Sequence, residues 1–497
     1  MSLKDILAFD KALKIILKLL KHSASVQIMN KKRLSVFFLA MMNVAVIMSL
    51  RGLPMMAKEG YSLLFYLSFS TIVFLIPSSL ISAELATGWP EGGGVYSWVK
   101  EAFGDHAGFT AIWLQWIQNV IWYPTILAFA AGALSYLFLD PQLASNKFFN
   151  VAVILIVYWG ATLINFRGVV ASGWLSTLGV ICGTIFPGVL IIGLGFAWLF
   201  MGKPLAFTLS PGGFFPDFSN FNNISFLAGV VLLFAGMEVS AVHANEVKNP
   251  KKDYPKAIFL AALIILVVFS LGSLSIASVL PASAISLTAG LMQGFKELFS
   301  IFHLDWLLPI IGLLVAFGSI GGVAAWIVGP SKGLFATAKA GDIPPILETR
   351  NKNNVPTHIL LIQGGVVTIL ALVFLLMPTV STAFFLLTAL TAILYLVMYI
   401  LLYASAIRLR YTQPDVKRSY KVPGGNFGMW LVGGVGILGA LFAIVVGLFP
   451  PTQLSIGSPL FYVLFLTIGT LVFLGVPILM IHFRKPSWKL KNDNQKK

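Results

Sequence analysis

Residues 34–57 read LSVFFLAMMNVAVIMSLRGLPMMA. The run is long enough to cross a bilayer, which takes about 20 apolar residues in a helix. Its second half is interrupted by Ile47-Met48-Ser49-Leu50-Arg51-Gly52-Leu53-Pro54, which sets a cation, a glycine and a proline where hydrocarbon would surround them. Proline removes a backbone donor and glycine weakens a helix. In lipid a freed backbone group is tolerated only where protein or a polar cavity re-satisfies it. The stretch therefore predicts a helix broken partway across a membrane, beside a polar interior. A second such place lies in residues 224–244, ISFLAGVVLLFAGMEVSAVHA, where Phe234-Ala235-Gly236-Met237-Glu238 again puts a glycine beside a charge.

Between and after these two runs lie others near 61–87, 108–138, 149–167, 173–200, 257–280, 307–336, 358–377, 382–406, 428–449 and 459–483, giving twelve predicted spans, numbered here as segments 1 to 12. Composition agrees: 58% of the 497 residues are hydrophobic, 10% are charged and mean hydropathy is +0.89. A soluble domain carries roughly 25% charged residues, so lipid is the expected solvent. With the N-terminus placed inside, 29 of the 34 Lys and Arg fall on the inner side and 4 on the outer, leaving Arg51 within segment 1. That is the positive-inside pattern. The net charge of +16 thus reads as topology and contact with an anionic inner leaflet, not as nucleic-acid binding. The expected location is the plasma membrane, as in a bacterial inner membrane, with both termini cytoplasmic.

Residues 1–33 hold Lys4, Lys11, Lys14, Lys18 and Lys21 at helical spacing opposite Ile6, Leu13, Ile16, Leu17 and Leu20. They read as a basic amphipathic helix on the membrane surface, the alternative being a frayed tail. Lysines interrupt the apolar core that a signal peptide requires. Residues 34–406 form the expected ten-helix core, 407–484 hold segments 11 and 12 with the preceding inner loop, and 485–497 form a short basic tail. The two breaks lie five segments apart, and an odd number of crossings reverses direction. Interrupted helices at matching positions of inverted halves mark a transporter's binding site near the midplane. The expected repeats cover about 34–200 and 224–406.

A charge at the bilayer centre costs roughly 2.5–3.5 kcal/mol on insertion scales, so Arg51 is expected to meet an anion, either Glu238 or a substrate carboxylate. The alternative is that it reaches the outer interface, near Pro54 and Lys58. Glu238 reads as a proton-coupling group or as an anchor for the break. Glu84, near the inner end of segment 2, reads as a gating residue bonded to inner-loop backbone or to Lys100. Gly92, Gly93 and Gly94 precede no Lys-Ser/Thr pair and follow no strand, which excludes a phosphate loop, and a tight turn at an inner gate fits better. Segment 3 carries Gln115, Gln118, Asn119 and Trp122, whose amides face the bundle or a cavity. His243 reads as an interface residue. With Cys182 the sole cysteine and the histidines scattered, no metal site, disulfide or cofactor is implied. No nucleophile–base pair is present, so an enzyme is not expected.

Several stretches resemble the amino acid–polyamine–organocation superfamily of permeases. They are Glu84-Leu85, Trp89-Pro90-Glu91-Gly92-Gly93-Gly94-Val95-Tyr96 with Trp98 and Gly104, Gly236-x-Glu238, and Asn245-Glu246, Asn249-Pro250 and Asp253-Tyr254-Pro255. The exit of segment 8, Ala325-Trp326-Ile327-Val328-Gly329-Pro330-Ser331-Lys332-Gly333, completes them. Together with Phe214-Phe215-Pro216-Asp217-Phe218-Ser219 they are most similar to the bacterial glutamate/GABA antiporter branch, over about residues 33–484. The resemblance implies an all-α fold of ten core helices in two inverted repeats, with segments 11 and 12 added. It implies alternating access around a substrate held between Ile47–Arg51 and Phe234–Glu238, its carboxylate at segment 1 and its amine at carbonyls freed in segment 6. Tyr395 and Tyr399, four apart on segment 10, match positions that line the path in that branch; facing lipid or core is the alternative. Gly93 and Lys332 join Glu84 as gating candidates.

Two departures bear on the substrate. That branch carries aromatic and acidic residues before the segment 1 proline, where this chain reads Leu50-Arg51-Gly52-Leu53, and an acidic residue in segment 8, where it reads Ser319-Ile320-Gly321-Gly322. The expected function is a secondary transporter of amino acids, as an exchanger for a decarboxylated amine or another amino acid, or as a proton-coupled permease. A cation-coupled symporter using Ser319 and an ion channel are the alternatives. The expected partners are a small amino acid or amine and membrane lipid; oligomeric state is not legible.

Overall fold

The computed structural model describes residues 35–485 and 488, apart from 91–92, 168–177, 242–248 and 340. The expected amphipathic helix over residues 1–33 lies outside the described residues, as do His243, Asn245 and Glu246. Among the described residues the chain is helical, with one isolated bridge between Arg350 and Pro356.

Among the described residues, eleven helices are long and apolar enough to cross a membrane. Segment 1 is not one of them, and its helix breaks partway. Helix Val36–Ile47, capped by the Ser35 hydroxyl on the Phe38 amide at 3.1 Å, stops at Met48, and Ser49 is extended. The chain resumes as a 3-10 turn, Leu50–Gly52, and a short helix, Leu53–Ala57. Pro54 sits in the first turn of that second piece, where its missing N–H has no helical partner to lose. Segment 6 is likewise two pieces, Phe226–Leu233 and Met237–Ala241, separated by Gly236 at φ +120°, a conformation only glycine adopts cheaply.

Several helices outrun the apolar stretches that predicted them. Segment 7 spans Pro250–Val279 rather than 257–280, and segment 10 spans Val380–Thr412 rather than 382–406. Segment 3 runs Asp105–Leu137 and segment 8 Leu308–Lys339. Hydropathy marks the lipid-facing length, whereas the backbone ladder continues into polar turns. Two amphipathic helices, Val95–Phe103 and Gly290–Ile301, were not expected.

Burial sorts the bundle. The most apolar windows of segments 3 and 10 are 83% buried and that of segment 12 only 11%, so segments 3 and 10 form the centre and segment 12 the rim. Exposed Phe148, Phe200, Phe259, Leu438 and Leu471 make up part of an apolar outer face suited to lipid. Gln363 of segment 9 ties the scaffold together. Its Oε1 accepts from Trp116 Nε1 at 2.9 Å and Ser331 Oγ at 3.2 Å, and its Nε2 donates to Tyr158 OH at 2.8 Å. Segments 3, 4, 8 and 9 thereby share one hydrogen-bonded hub.

Segments 5 and 8 touch backbone to backbone. A Cβ on Gly183 would lie 2.2 Å from Leu314 O and 2.4 Å from Gly318 Cα. Even Gly183→Ala must push the helices apart, and overpacking of this kind costs typically about 1–3 kcal/mol. The variant is expected to melt lower in detergent, while Gly160→Ala, which faces open space, melts as wild type; equal midpoints would contradict this contact.

Candidate functional site

The two breaks meet around a cavity of about 70 Å³. Its walls come from five segments: Ile47, Ser49 and Arg51 of segment 1, Gln118, Asn119 and Trp122 of segment 3, Leu232, Leu233 and Ala235 of segment 6, Trp326 of segment 8 and Tyr395 of segment 10. The Trp122 and Trp326 rings meet edge to face, 6.3 Å between centroids.

Arg51 is 3% exposed, so it does not reach the interface. It does not pair with Glu238 either; among the described residues it makes no ion pair. Its Nη1 donates to Thr125 Oγ1 at 3.0 Å and to Thr388 Oγ1 at 3.4 Å. Both hydroxyls spend their own protons on carbonyls of their helices, Trp122 O and Phe384 O, so they can accept from Arg51. The guanidinium also lies 5.5 Å from the Phe384 ring centroid and 5.9 Å from that of Trp122. Its Nε has no hydrogen-bond partner among the described residues.

Glu238 anchors the segment 6 break. Its carboxylate accepts from Gln115 Nε2 at 3.0 Å and from the hydroxyls of Tyr395 and Tyr399. Tyr399 OH in turn accepts from the Gly236 amide at 2.8 Å. Tyr395 and Tyr399 face the protein interior, not lipid. Tyr395 borders the cavity, while Tyr399 sits behind it, bracing the break. Of the sequence candidates, Ile47, Ser49, Arg51, Ala235 and Tyr395 line the cavity; Met48, Leu50, Phe234, Gly236 and Glu238 belong to the breaks that shape it.

Segment 11, Gly425–Gly447, separates two ends of the bundle, and each carries a cluster of polar contacts. At the end preceding it, Glu84 meets Arg410 through two parallel bonds of 2.5 and 2.6 Å and accepts from the Val422 amide at 2.7 Å. Arg418 Nε lies 3.5 Å away. Loop backbone was an expected partner of Glu84, but Lys100 was not found there: it pairs with Asp105 at 2.8 Å. Gly93 turns the chain at φ +150° just before helix Val95–Phe103. The side chain of Lys332 lies outside the described residues. Asp342 accepts from Tyr96 OH at 3.0 Å and pairs with Arg484 at 3.1 Å, tying the end of segment 12 to this face.

At the other end, Gln453 Nε2 bridges Glu59 Oε1 at 2.9 Å and Asn223 O at 2.8 Å, and Lys58 Nζ donates to Ala282 O at 2.8 Å. Burial pushes the Glu59 carboxyl up to about 8, outweighing the bonds from Tyr66 and Gln453 and the charge of Lys58. A raised carboxyl favours the folded arrangement most below its ordinary value of 4.5, and that preference is lost as pH rises through about 8. Thermal midpoints in detergent are therefore expected to fall over that window, with Glu59→Gln flattening the slope; an unchanged slope in the variant would place the titration elsewhere.

Trp326, Thr125 and Thr388 were not singled out as site residues from sequence. A threonine in an apolar helix reads as bonded to its own backbone, which these two are, and that hides their second role.

Comparison with known proteins agrees with this architecture. Residues 32–473 match the family model described as amino acid permease. The chain is 44% identical over 448 residues to an uncharacterized transporter of Legionella pneumophila, covering 90% of this chain and 96% of that one. It is 33% identical over 457 residues to a glutamate/gamma-aminobutyrate antiporter of Lactococcus lactis, covering 91% of each. A probable agmatine/putrescine antiporter of the same species is 25% identical over 460 residues, covering 91% and 95%.

Proposed function

This chain belongs to the amino acid permease family, and we propose that it is a secondary active transporter carrying amino acids by alternating access through the cavity between segments 1 and 6. One observation carries the reading: two interrupted helices meet at a cavity whose wall holds a buried cation with no carboxylate beside it among the described residues. A static scaffold gains nothing from an unpaired buried charge, which is costly to keep. A carrier that receives its counter-charge from the solute does gain.

Exchange is the favoured mode. Antiporters are among its relatives, and segment 8 carries no acidic residue beside Ser319, the candidate for a sodium site. The 29 to 4 split of basic residues supports cytoplasmic termini in a bacterial plasma membrane. In that orientation the Glu84–Arg410–Val422 cluster shuts the cytoplasmic end, with Gly93 turning the chain beside it, and the Glu59–Gln453 cluster shuts the outer end.

The test is counterflow in proteoliposomes loaded with single amino acids. Trans-stimulated uptake of labelled amino acid is expected for at least one of them. Absence of stimulation by any amino acid, in protein shown to be folded, would overturn the reading.

A further inference from the structure

We propose that Arg51 reads the substrate's carboxylate through the Nε–Nη2 edge of its guanidinium, and that this edge restricts the carrier to solutes with a carboxylate and a net charge of zero or minus one. The inference rests on the cavity being the substrate site.

The guanidinium is held in a fixed pose with one edge spent and, among the described residues, one edge without an acceptor. Nη1 makes both threonine bonds, at 3.0 and 3.4 Å, and the rings of Trp122 and Phe384 flank the group at 5.9 and 5.5 Å. Among the described residues nothing accepts from Nε or Nη2, although Arg51 is 3% exposed and borders the cavity. That pair of donors is the fork that grips a carboxylate through two parallel bonds. In the same protein the Nε and Nη2 of Arg410 grip Glu84 in this way, at 2.5 and 2.6 Å. The edge that Arg410 fills with a protein carboxylate is the edge that Arg51 leaves for a ligand.

The charge balance of the cavity sets the selection. Glu238, the fixed anion behind Tyr395, already has three donors from Gln115, Tyr395 and Tyr399. Among the described residues the oxygens of Glu238 thus have donors, whereas the Nε–Nη2 edge of Arg51 lacks an acceptor, so what the site wants is an acceptor beside its cation. An incoming carboxylate relieves a buried unpaired cation, and a zwitterion supplies that carboxylate without adding net charge to the site. A diamine brings further positive charge beside Arg51 and supplies nothing for the open edge, so it is rejected by repulsion as well as by lost contacts. Thr125 and Thr388 act as positioning residues, since they orient the fork without touching the solute.

The test is a counterflow panel of similar size and graded charge: glutamate, glutamine, γ-aminobutyrate, ornithine and putrescine. Wild-type protein is expected to be trans-stimulated by one or more of the first three and by neither of the last two. Arg51→Lys keeps the charge but lacks the fork, and is expected to lose about tenfold or more in kcat/KM for the carried solute. Thr125→Val is expected to raise KM with kcat kept. Stimulation of the wild type by putrescine or ornithine at the rate of glutamine would overturn the inference, and so would a wild-type KM in Arg51→Lys. If Arg51→Lys fails to fold, the wild-type panel alone decides. If no amino acid of any kind moves, the transport reading fails; if amino acids move without this charge ranking, only the present inference fails.

Discussion

Glu84→Leu is expected to cost about 3–5 kcal/mol of stability, the usual penalty for removing one partner of a buried ion pair. Two guanidiniums depend on that carboxylate. Arg410 holds it at 2.5 and 2.6 Å, and Arg418 lies 3.5 Å away. The Val422 amide loses its acceptor as well. The cost comes less from the lost attraction than from leaving cations in a place water does not reach. Pairing the change with Arg410→Leu is therefore expected to restore part of the loss, because the double variant strands one charge fewer. Thermal unfolding of the detergent-solubilised protein reads both variants. A single variant as stable as wild type would show that this end is not closed by the cluster.

Glu238→Leu is expected to have the second largest effect, because one carboxylate serves three donors. Gln115, Tyr395 and Tyr399 would each keep a buried donor without an acceptor, at about 1–3 kcal/mol apiece before relaxation. The break at Gly236 is braced through Tyr399, so transport is expected to fall with stability. Glu238→Gln separates anchoring from proton coupling. All three neighbours donate, so the carboxylate acts purely as an acceptor, and the pH profile of exchange is expected to keep its shape in the glutamine variant even as the rate drops. A profile that flattens would make Glu238 the group that carries a proton.

The two helix breaks were legible because lipid punishes irregular backbone so heavily that Arg51-Gly52 and Gly236-x-Glu238 admit few other readings. Burial of Arg51 was legible for the same reason. Its partners were not. Thr125 and Thr388 lie 74 and 337 residues away in sequence, and nothing in either helix distinguishes these threonines from others that bond only to their own turn. Arg410 escaped notice likewise, since 326 residues separate it from Glu84. Lys100 was near in sequence and carried the right charge, but Asp105 is nearer still.

Tyr395 and Tyr399 show how far spacing reaches. Their interval of four puts both on one face, as found, but does not say that one borders the cavity and the other stands behind Glu238. Segment 7 starts upstream of its apolar run. Asn249-Pro250 with Asp253 is a helix N-terminus by its residues, proline at the first position and a carboxylate in the first turn, and the Asp253 carboxylate does accept from the Asn249 amide at 2.9 Å. Hydropathy alone set the boundary seven residues too late.

Cys182 is the sole cysteine, so a single substitution, Cys182→Ser, yields a background for placing one thiol in the cavity wall. Ala235→Cys puts it in the segment 6 break, on the cavity surface. The most direct measurement is the alkylation rate of that thiol in proteoliposomes, by reagent supplied from either side, with and without a saturating solute that drives counterflow. Alternating access through this cavity predicts labelling from both sides and slowing of both reactions by the solute. Labelling that proceeds at the same rate while the solute is being exchanged would mean that transport passes elsewhere.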